Sequence, residues 1–302
     1  MNSESRRQYS IDVGEGPRGI TVTKDGSRAY VCNYISRTVS VIDTVDSVVI
    51  ETIKVGAFPQ RIALSPDEGL AFVTNYGSCS ISVINTRTLS LDRDDIAVGI
   101  HPWGLVVSPD GKFVYTHVQG EQSLAILETA TFTVSHASAS LSQCEDIGIS
   151  PDGSKLYLSG RGMEGNFLIE KLTVIDSQTH QILKKVRTPK SPWWVSVNPE
   201  NGEVYVMCQQ ERKMVVIDPE FKVTEFVSVF TEGQLAFAGQ YAYLLDYSAK
   251  AVAVIDTETH QVKEKIEIHG AISLWNVAYA KQGALYISDY ANNKVWVVPL
   301  PA

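Results

Sequence analysis

The sequence has little positive charge and no long apolar run. Its 302 residues carry 26 Lys and Arg against 34 Asp and Glu, which gives a formal net charge of −8. A phosphate-binding surface needs clustered Lys and Arg, so we do not expect nucleic acid as a partner. No stretch approaches the roughly 20 apolar residues of a membrane-spanning helix, so we expect no membrane contact.

The N-terminal segment gives no sign of export. Residues 1–14 include charged side chains but neither the apolar centre nor the small-residue cleavage site of a secretory signal peptide. If Met1 is the native start, a cytoplasmic protein is expected.

Cysteine is scarce, and its spacing matches no metal motif. Two of the four cysteines fall within predicted strands, where a free thiol behaves as a small apolar side chain. We therefore expect buried thiols, with a disulfide or a metal site as the alternative. The four are Cys32, Cys79, Cys144 and Cys208.

The sequence motifs of common catalytic sites are also missing. There is no nucleophile elbow, phosphate-binding glycine loop, zinc motif or dinucleotide fingerprint. We expect no bound cofactor. A divalent cation held by acidic residues together with His117 is the alternative, although no spacing signature supports it.

What the sequence does contain is a repeat. Short runs of alternating apolar and polar residues, typical of antiparallel strands, recur along the whole chain and are bounded by Gly, Pro, Asp and Asn. One apolar position recurs at intervals of 42, 42, 49, 42, 38 and 42 residues, which defines seven copies. These positions are Ile42, Ile84, Ile126, Ile175, Ile217, Ile255 and Val297.

Each copy contains four predicted strands, which we call A to D. In the first copy they cover residues 18–22, 29–33, 38–43 and 48–55. Four strands repeated seven times predict an all-β fold, a seven-bladed β-propeller with four-stranded antiparallel blades. The copies use nearly the whole chain, so residues 1–302 are predicted to form a single domain.

The two ends of the chain complete each other. The seventh copy ends after its third strand, at 294–298, whereas residues 9–14 match the D strand at 51–56. We therefore predict that the N-terminal strand completes blade 7, built from about 271–300 plus 8–14. This closure hides a strand edge that would otherwise template aggregation.

Two segments give the repeat a family resemblance. Tyr30–Asn33 (YVCN), Phe72–Asn75 (FVTN) and the Val-Ile-Asp runs resemble the YVTN-type β-propeller repeat over residues 8–300. That family spans surface-layer, periplasmic and enzymatic members, so the resemblance implies the fold. The repeat layout is also similar to that of streptogramin B lyase. The catalytic histidines of that enzyme follow the Pro that opens strand A, and the equivalent positions here contain no histidine.

The copies differ most at the residue that follows this opening Pro. Strand A lines the central channel of a propeller, so these residues are predicted to surround the channel mouth. Three of the five tryptophans in the chain share this position, which indicates an aromatic ligand pocket. The alternative is that they plug the channel or fill gaps between blades. In chain order the residues are Arg18, Gln60, Trp103, Glu145, Trp193, Gly233 and Trp275.

Polar members of this ring have candidate roles. Arg18 could bind a carboxylate or phosphate. Glu145, with tryptophans at the same position of the neighbouring copies, is the candidate acid or base, because apolar surroundings raise the pKa of a carboxyl. Asp146 competes with it, since a slip of one residue turns the opposite side chain towards the channel. Gly233 is expected to leave space for a ligand.

A second ring is predicted where each B strand ends. We expect its Asn and Asp members to cap turns, and its tyrosines and Arg161 to contact a ligand. In the aligned copies, His117 takes the place of an Asn and is a group that titrates near neutral pH, so it is a further acid–base candidate, with a structural role as the alternative. The ring contains Asn33, Tyr34, Asn75, Tyr76, His117, Gly160, Arg161, Gln209, Asp246, Tyr247, Asp289 and Tyr290.

The third interval, which covers the fourth copy, is seven residues longer than the usual 42. The extra residues, 161–167, are rich in Gly and follow a B strand. They are interpreted either as a flap over the site or as a tolerated surface insertion.

These patterns lead to two main functional hypotheses, and a structural or envelope role, as in some family relatives, is a third that the absence of a recognisable signal peptide disfavours. The first is a small-molecule site at the channel mouth, in an enzyme of the lyase, isomerase or cyclase type that uses acid–base chemistry on a partly aromatic or apolar substrate. The second is a non-catalytic propeller that binds a protein partner through its open face or rim.

Overall fold

The computed structural model describes residues 7–121, 123–137, 144–164, 167–228 and 233–300, with the backbone alone described at 161–164, 167–169, 226 and 228. Every regular element in these residues is a β-strand. The strands form seven antiparallel sheets of four strands each, so the predicted seven-bladed β-propeller is confirmed. No helix among the described residues has the length and apolarity needed to cross a membrane.

Blades 1 to 4 follow one another along the chain. Blade 1 contains β2 (Pro17–Val22), β3 (Arg28–Asn33), β4 (Thr38–Asp43) and β5 (Val48–Lys54). Blade 2 contains β6 (Pro59–Leu64), β7 (Leu70–Asn75), β8 (Ser80–Asn85) and β9 (Ser90–Ala97). Blade 3 contains β10 (Pro102–Val107), β11 (Phe113–Val118), β12 (Ser123–Glu128) and β13 (Val134–Ala137). Blade 4 contains β14 (Cys144–Ile149), β15 (Lys155–Glu164), β16 (Phe167–Asp176) and β17 (Ile182–Arg187).

Blades 5 to 7 continue the pattern. Blade 5 contains β18 (Pro192–Val197), β19 (Val204–Cys208), β20 (Lys213–Ile217) and β21 (Val223–Ser228). Blade 6 contains β22 (Leu235–Ala238), β23 (Tyr241–Asp246), β24 (Ala251–Asp256) and β25 (Val262–Glu267). Blade 7 contains β26 (Leu274–Ala280), β27 (Ala284–Asp289), β28 (Lys294–Pro299) and the N-terminal strand β1 (Tyr9–Asp12).

Strand β1 closes the ring. It pairs antiparallel with β28, from Tyr9 opposite Val297 to Asp12 opposite Lys294, and supplies the outer strand of blade 7. Its buried Ile11 packs with residues of blades 7 and 1. The predicted closure is therefore confirmed, and the free edge of β28 is covered.

In several blades, the turn between the first two strands has the geometry that its Ser-Pro-Asp sequence predicts. In blade 3, the hydroxyl of Ser108 donates to Asp110 Oδ1 at 2.7 Å, and the backbone N–H of Gly111 donates to the Ser108 carbonyl at 2.8 Å. Gly111 has φ +74°, a conformation that other residues adopt only with strain. The Ser-Pro-Asp-Gly sequence therefore specifies this tight connection.

The hydrophobic core lies between the blades. Seven buried clusters occur in the described residues, and each combines side chains from two adjacent blades. One of them joins Tyr30 and Val41 of blade 1 to Ile62 and Val73 of blade 2. A single blade cannot bury both of its apolar faces, so the blades stabilise one another.

The cysteines are unpaired, as predicted from their spacing. All four are free thiols, and three of them, Cys32, Cys144 and Cys208, are buried. Burial raises the pKa of Cys208 to about 12, so this thiol stays protonated and unreactive at neutral pH.

Candidate functional site

The opening of the first strand is irregular in six blades. In each, the pairing of this strand with the second strand shifts register directly after its first residue, whereas the rest of the ladder is regular. A β-bulge at such a point turns side chains away from the usual alternation. These bulges contain or adjoin six of the residues predicted at the channel mouth, which are Arg18, Gln60, Trp103, Glu145, Trp193 and Trp275.

The preceding blade fixes several of these bulges through a hydroxyl group. In blades 2, 4 and 7, the second-strand Thr or Ser that directly precedes the pairing partner of the opening residue donates to a carbonyl in the bulge of the next blade. The bonds run from Thr74 Oγ1 to Trp103 at 3.1 Å, from Ser159 Oγ to Trp193 at 2.6 Å and from Ser288 Oγ to Arg18 at 2.6 Å. The bulges are therefore held in place between blades.

A cavity of about 290 Å³ occupies the central channel, and the first strands of all seven blades contribute to its walls. Its polar side chains are Arg61, Asp146, Ser196, Gln234 and Asn276. The two charged groups meet there, with Arg61 Nη2 3.6 Å from Asp146 Oδ1. Arg61 Nη1 also donates to Gln234 Oε1 at 2.6 Å.

The carboxyl group of Asp146 is held in a defined position. Its Oδ2 accepts a hydrogen bond from the backbone N–H of Val195 at 3.2 Å. Burial raises the pKa of Asp146, and the charge of Arg61 and the backbone hydrogen bonds oppose this effect without cancelling it. A buried carboxyl of raised pKa, beside a cavity, can exchange a proton with a bound molecule.

Arg61 is almost fully buried and packs against an aromatic ring. Its guanidinium lies 4.5 Å from the ring centroid of Trp194, which is itself 2% exposed. Arg61 Nη2 has no hydrogen-bond partner among the described residues, because its 3.6 Å separation from Asp146 is too long for a hydrogen bond. One donor of the guanidinium therefore remains available.

The structure brings four other predicted site residues into contact with Arg18. Its guanidinium lies 3.6 Å from the ring centroid of Tyr34, 4.2 Å from that of Trp275 and 5.1 Å from that of Tyr290. Arg18 Nη1 donates to the Oε1 of the buried Gln60 at 2.6 Å. Burial lowers the pKa of Arg18, although the ordinary pKa of a guanidinium is high enough to leave the group charged at neutral pH.

Three further predicted aromatic residues make ring contacts. One contact joins blades 2 and 3, and another extends the group around Arg18 towards blade 6. Trp103 lies edge-on to Tyr76, with ring centroids 5.7 Å apart. Tyr247 stacks on Trp275 at 6.5 Å, and its hydroxyl donates to the Trp275 carbonyl at 2.7 Å. The ring contacts of the described residues do not join the indoles of blades 3, 5 and 7.

Neither Trp193 nor Glu145 is among the residues that line the cavity. Trp193 packs against the core cluster shared by blades 5 and 6. Glu145 is partly buried in the bulge of blade 4, directly before the almost fully buried Asp146. Asp146 is the member of this pair that faces Arg61 in the channel.

The extra residues of blade 4 lengthen the hairpin that joins β15 and β16. Strands β15 and β16 have ten residues each, and their ladder continues from Arg161 opposite Glu170 to Glu164 opposite Phe167. The backbone of Arg161 therefore belongs to this ladder. The predicted flap at 161–167 is mostly a β-ladder, and its residues 165 and 166 lie outside the described part.

His117 occupies a different position from the one inferred by sequence. Asn33 pairs with the opening Pro17 of blade 1, whereas Val118 pairs with the opening Pro102 of blade 3. The Asn position in blade 3 is therefore Val118, and His117 is equivalent to Thr74. His117 is 1% exposed, and burial lowers its pKa to about 3, so its imidazole is neutral at neutral pH.

The prediction that Gly233 leaves space for a ligand is wrong. A Cβ atom at this residue would lie 2.3 Å from the carbonyl oxygen of Leu245. The glycine is needed because the backbone of the second strand of blade 6 passes close by. The space beside Gly233 is filled by protein.

The turn-capping role predicted for the Asn and Asp members holds for Asp246 within its own turn, whereas Asn33 and Asn75 donate to Ser and Thr hydroxyl groups of the neighbouring strand. Asp289 accepts hydrogen bonds from the backbone N–H groups of Ile272 and Ser273 at 3.0 and 2.8 Å. Asp246 accepts one from Ala249 at 2.8 Å. Among the described residues, no cluster of three or more His, Cys, Asp or Glu side chains is arranged to hold a metal ion.

Sequence reasoning missed three polar residues that line the cavity, Arg61, Gln234 and Asn276. Arg61 and Asn276 are each the third residue of a first strand, and Gln234 lies directly before β22. For Arg61 and Asn276, the available signal was a charged or amide side chain in a short strand that is otherwise largely apolar, two residues after the opening residue. A buried charge is costly unless it is paired, so it marks a site.

Solved structures resemble this fold over almost its entire length. Hydrazine synthase from Kuenenia stuttgartiensis superposes with a TM-score of 0.82 at 19% identity, covering 99% of each chain. The Cps50 (Swd1) β-propeller domain from Myceliophteria thermophila gives 0.82 at 10% identity, covering 98% of this chain and 100% of that one. Streptogramin B lyase gives 0.78 at 12% identity, covering 98% of each chain. At these identities the likeness concerns the fold, and the predicted similarity to streptogramin B lyase is confirmed at that level.

Sequence comparison places the chain in a family. No curated protein matches it. The family described as "Lactonase, 7-bladed beta-propeller" matches residues 2–161, which is more than half of the sequence. The chain therefore belongs to the lactonase family of seven-bladed β-propellers.

Proposed function

We propose that this protein binds a small organic molecule in its central channel and carries out acid–base chemistry on it. The observation that carries the proposal is the buried pair of Arg61 and Asp146, which borders the cavity and leaves Arg61 Nη2 without a hydrogen-bond partner among the described residues. Convergent polar groups in a concave, partly apolar cavity are the usual form of a small-molecule site.

A purely structural role would need a better-satisfied pair. A buried ion pair recovers its desolvation cost only when its geometry is good and its remaining protons are bonded. The 3.6 Å contact and the unpartnered donor meet neither condition. A ligand oxygen on Arg61 Nη2 would supply the missing acceptor.

Lactones are the compounds to test first, because the family takes its name from their hydrolysis. In the proposed reaction, the carboxylate of Asp146 takes a proton from a water molecule whose oxygen attacks the lactone carbonyl carbon. Arg61 stabilises the oxyanion that forms. The ring C–O bond then breaks, and the proton passes from Asp146 to the leaving oxygen, giving a hydroxy acid. The reverse reaction is a cyclisation, so a lactonase and a cyclase would use the same site.

Two neighbouring carboxylates, Glu145 and Asp146, are candidates for the acid–base group. We place it at Asp146 and not at Glu145, because Asp146 contacts Arg61 and lines the cavity. We propose Arg18 only as a secondary anchor for the ligand. Its guanidinium already packs against the rings of Tyr34 and Trp275, so less of it is open to a ligand than in Arg61. No cofactor takes part in this proposal.

The test combines binding with turnover. Five- and six-membered lactones and their hydroxy acids are screened by thermal shift, and acid release is followed in a pH-stat. Asp146→Asn is expected to bind the best compound with little change in affinity and to lose at least about 100-fold in kcat, as general-base removal implies. Asp92→Asn, on the outer strand of blade 2, is the matched control.

Two results would count against this proposal. Full turnover by Asp146→Asn together with loss of turnover in Glu145→Gln would move the acid–base role to Glu145. The absence of binding by every lactone and hydroxy acid would remove the small-molecule function for this compound class.

One observation favours a second candidate function, an interaction propeller. Four large apolar side chains are exposed on loops at the channel-mouth face, where Tyr34 also stacks on Phe58 at 4.8 Å. A photo-crosslinking residue at position 272 should then capture one defined protein partner, whereas the same residue at the exposed Val45 should not. The four residues are Ile35, Phe58, Ile100 and Ile272.

A further inference from the structure

We infer that the substrate of the Arg61–Asp146 site is a lactone, or the hydroxy acid to which it opens, that has an aliphatic tail. The ring binds beside the two charged groups. The tail extends along the channel towards the face formed by the turns between the first and second strands, which we call the turn face. This inference rests on the proposed function and names its substrate class and the direction of binding.

Arg61 closes the channel on the side of the mouth. Its Nη1 donates to Gln234 Oε1 at 2.6 Å, and this hydrogen bond crosses the ring from blade 2 to blade 6. The same guanidinium lies 4.5 Å from the ring centroid of Trp194 in blade 5, and Nη2 lies 3.6 Å from Asp146 Oδ1 in blade 4. Arg61, Asp146 and Trp194 are at most 5% exposed. The described residues therefore leave the site closed towards the mouth.

The opposite end of the first strands is apolar and partly exposed. In blades 1 to 5, the last residue of the first strand is aliphatic and only partly buried. Apolar side chains gathered at one accessible place are typical of a binding surface. The five residues are Val22, Leu64, Val107, Ile149 and Val197.

A second cavity, of about 530 Å³, lies at this end of the channel and reaches the turn face. It shares four wall residues with the first cavity, so the two are continuous along blades 2 to 4. Leu64 lies three residues after Arg61 in β6, which at a rise of roughly 3.3 Å per residue gives about 10 Å of apolar wall beyond the charged pair. The shared residues are Ile62, Leu105, Val106 and Ile149.

Most polar groups of the second cavity already serve the turns. The hydroxyl groups of Ser65 and Ser108 each donate to an aspartate two residues further on, at 2.6 and 2.7 Å. The ammonium group of Lys24 donates to the Pro66 carbonyl at 2.5 Å, and Glu68 accepts from the backbone N–H of Lys24. The rest of this wall is mainly apolar, so it favours an apolar part of a ligand.

The first cavity differs in this respect. Ser196 lines it and is 8% exposed, and its hydroxyl oxygen has no hydrogen-bond partner among the described residues. Arg61 Nη2 is the other such atom in the first cavity, whereas the residues that line the second cavity contribute none in the described part. Buried polar groups nearly always have partners, so the oxygens of a ligand are expected in the first cavity and its tail in the second.

The experiment uses lactones that share one ring and differ in the length of the tail. Binding of γ-butyrolactone, γ-hexalactone, γ-octalactone and γ-decalactone to the full-length protein is measured by isothermal titration calorimetry. Their tails have zero, two, four and six carbons. The affinity is expected to rise about 3- to 4-fold for each methylene group that the channel buries.

Variants of the wall locate the tail. Ala63 lines the second cavity, so Ala63→Leu fills part of it and should weaken γ-decalactone at least about 10-fold more than γ-butyrolactone. Ala97→Leu, at the exposed end of the outer strand of the same blade, is the matched control and should change neither affinity. If Ala63→Leu fails to fold, Val107→Thr adds a hydroxyl group to the wall with little change in size and should weaken γ-decalactone about 3-fold more than γ-butyrolactone.

The outcomes separate the substrate class from the proposed function. Equal affinity along the series would overturn the aliphatic tail, and loss of that binding in Arg61→Met would show that the proposed site holds. A preference for long tails that neither wall variant reduces would place the tail elsewhere and overturn the inference, and its loss in Trp103→Ala would locate the tail at the mouth. If no lactone or hydroxy acid of any length binds, the proposed function fails for these compounds and the inference fails with it.

Discussion

Arg61 of blade 2 and Asp146 of blade 4 meet across blade 3, with Nη2 and Oδ1 3.6 Å apart. The contact is possible because the equivalent position in blade 3 is Gly104. A Cβ atom on this glycine would lie 2.9 Å from Asp146 Oδ1 and 3.1 Å from the Ile147 nitrogen. The missing side chain of one blade therefore allows the charged side chains of its two neighbours to meet.

The first prediction concerns this glycine. Gly104→Ala should displace the carboxyl of Asp146, lower the free energy of unfolding by about 1–3 kcal/mol as overpacking does, and weaken binding of the channel ligand. Gly69→Ala is the control, because the atom nearest its added Cβ is the exposed carboxylate of Asp67. Chemical denaturation and calorimetry measure the two effects. Wild-type stability and affinity in Gly104→Ala would show that the close contact is unimportant.

The second prediction concerns pH. Burial raises the pKa of Asp146 in the folded protein above its ordinary value of 3.8, which the unfolded chain keeps. As the pH rises above 3.8, the unfolded chain ionises more readily than the folded one, so the folded state loses stability until the pH passes the folded pKa. Arg61 reduces this loss.

Removing Arg61 should therefore cost more at high pH. Arg61→Met is expected to lower the free energy of unfolding by about 3–5 kcal/mol at pH 7, the usual cost of leaving a buried charge unpaired, and by much less at pH 4. The double variant Arg61→Met/Asp146→Asn should lose the pH dependence. Denaturant titrations at both pH values give the answer, and an equal cost at pH 4 and pH 7 would contradict the assignment.

The third prediction concerns His117. Burial lowers its pKa from 6.5 to about 3, so the folded protein keeps the imidazole neutral while the unfolded chain takes up a proton below pH 6.5. Stability should fall as the pH drops from 6.5 towards 3, by up to about 1.4 kcal/mol per pH unit. His117→Thr, which introduces the residue found at the equivalent position of blade 2, should remove this slope. Identical pH dependence in both proteins would refute it.

The fourth prediction concerns ring closure. Ile11 is 6% exposed in β1, so Ile11→Ala should lower the free energy of unfolding by about 2–4 kcal/mol, and deletion of residues 1–13 should destabilise the whole protein in one cooperative transition. Ile182→Ala is the control, because Ile182 is 37% exposed on the outer strand of blade 4. A deletion variant that melts like the wild type would show that β1 is dispensable.

The blades were predictable because their signals are local and repeated. The period near 42, the alternating runs and the Ser-Pro-Asp turns each specify strands and connections within one copy. The match between residues 9–14 and the D strand of copy 1 was enough to predict the pairing of β1 with β28. Seven occurrences of one pattern made the strand assignment robust.

The site was only partly predictable, because it depends on contacts between blades. The residue after the opening Pro was recognised as unusual, and the structure attributes this to a bulge, for example at Gln60 between Pro59 and Arg61. A bulge changes which neighbouring residue faces the channel, so Arg61 was missed and Asp146 was ranked second. The assignment of His117 was shifted by one residue because only the pairing of Pro102 with Val118 reveals the register.

A crystal structure of the protein with its tightest-binding lactone or acid tests the central claim most directly. We predict electron density for the ligand in the central channel, with one of its oxygens within about 3.2 Å of Arg61 Nη2 and its reactive carbon beside Asp146. Density on the outer strands or on the rim alone, with the channel between Arg61 and Asp146 free of ligand, would contradict the account.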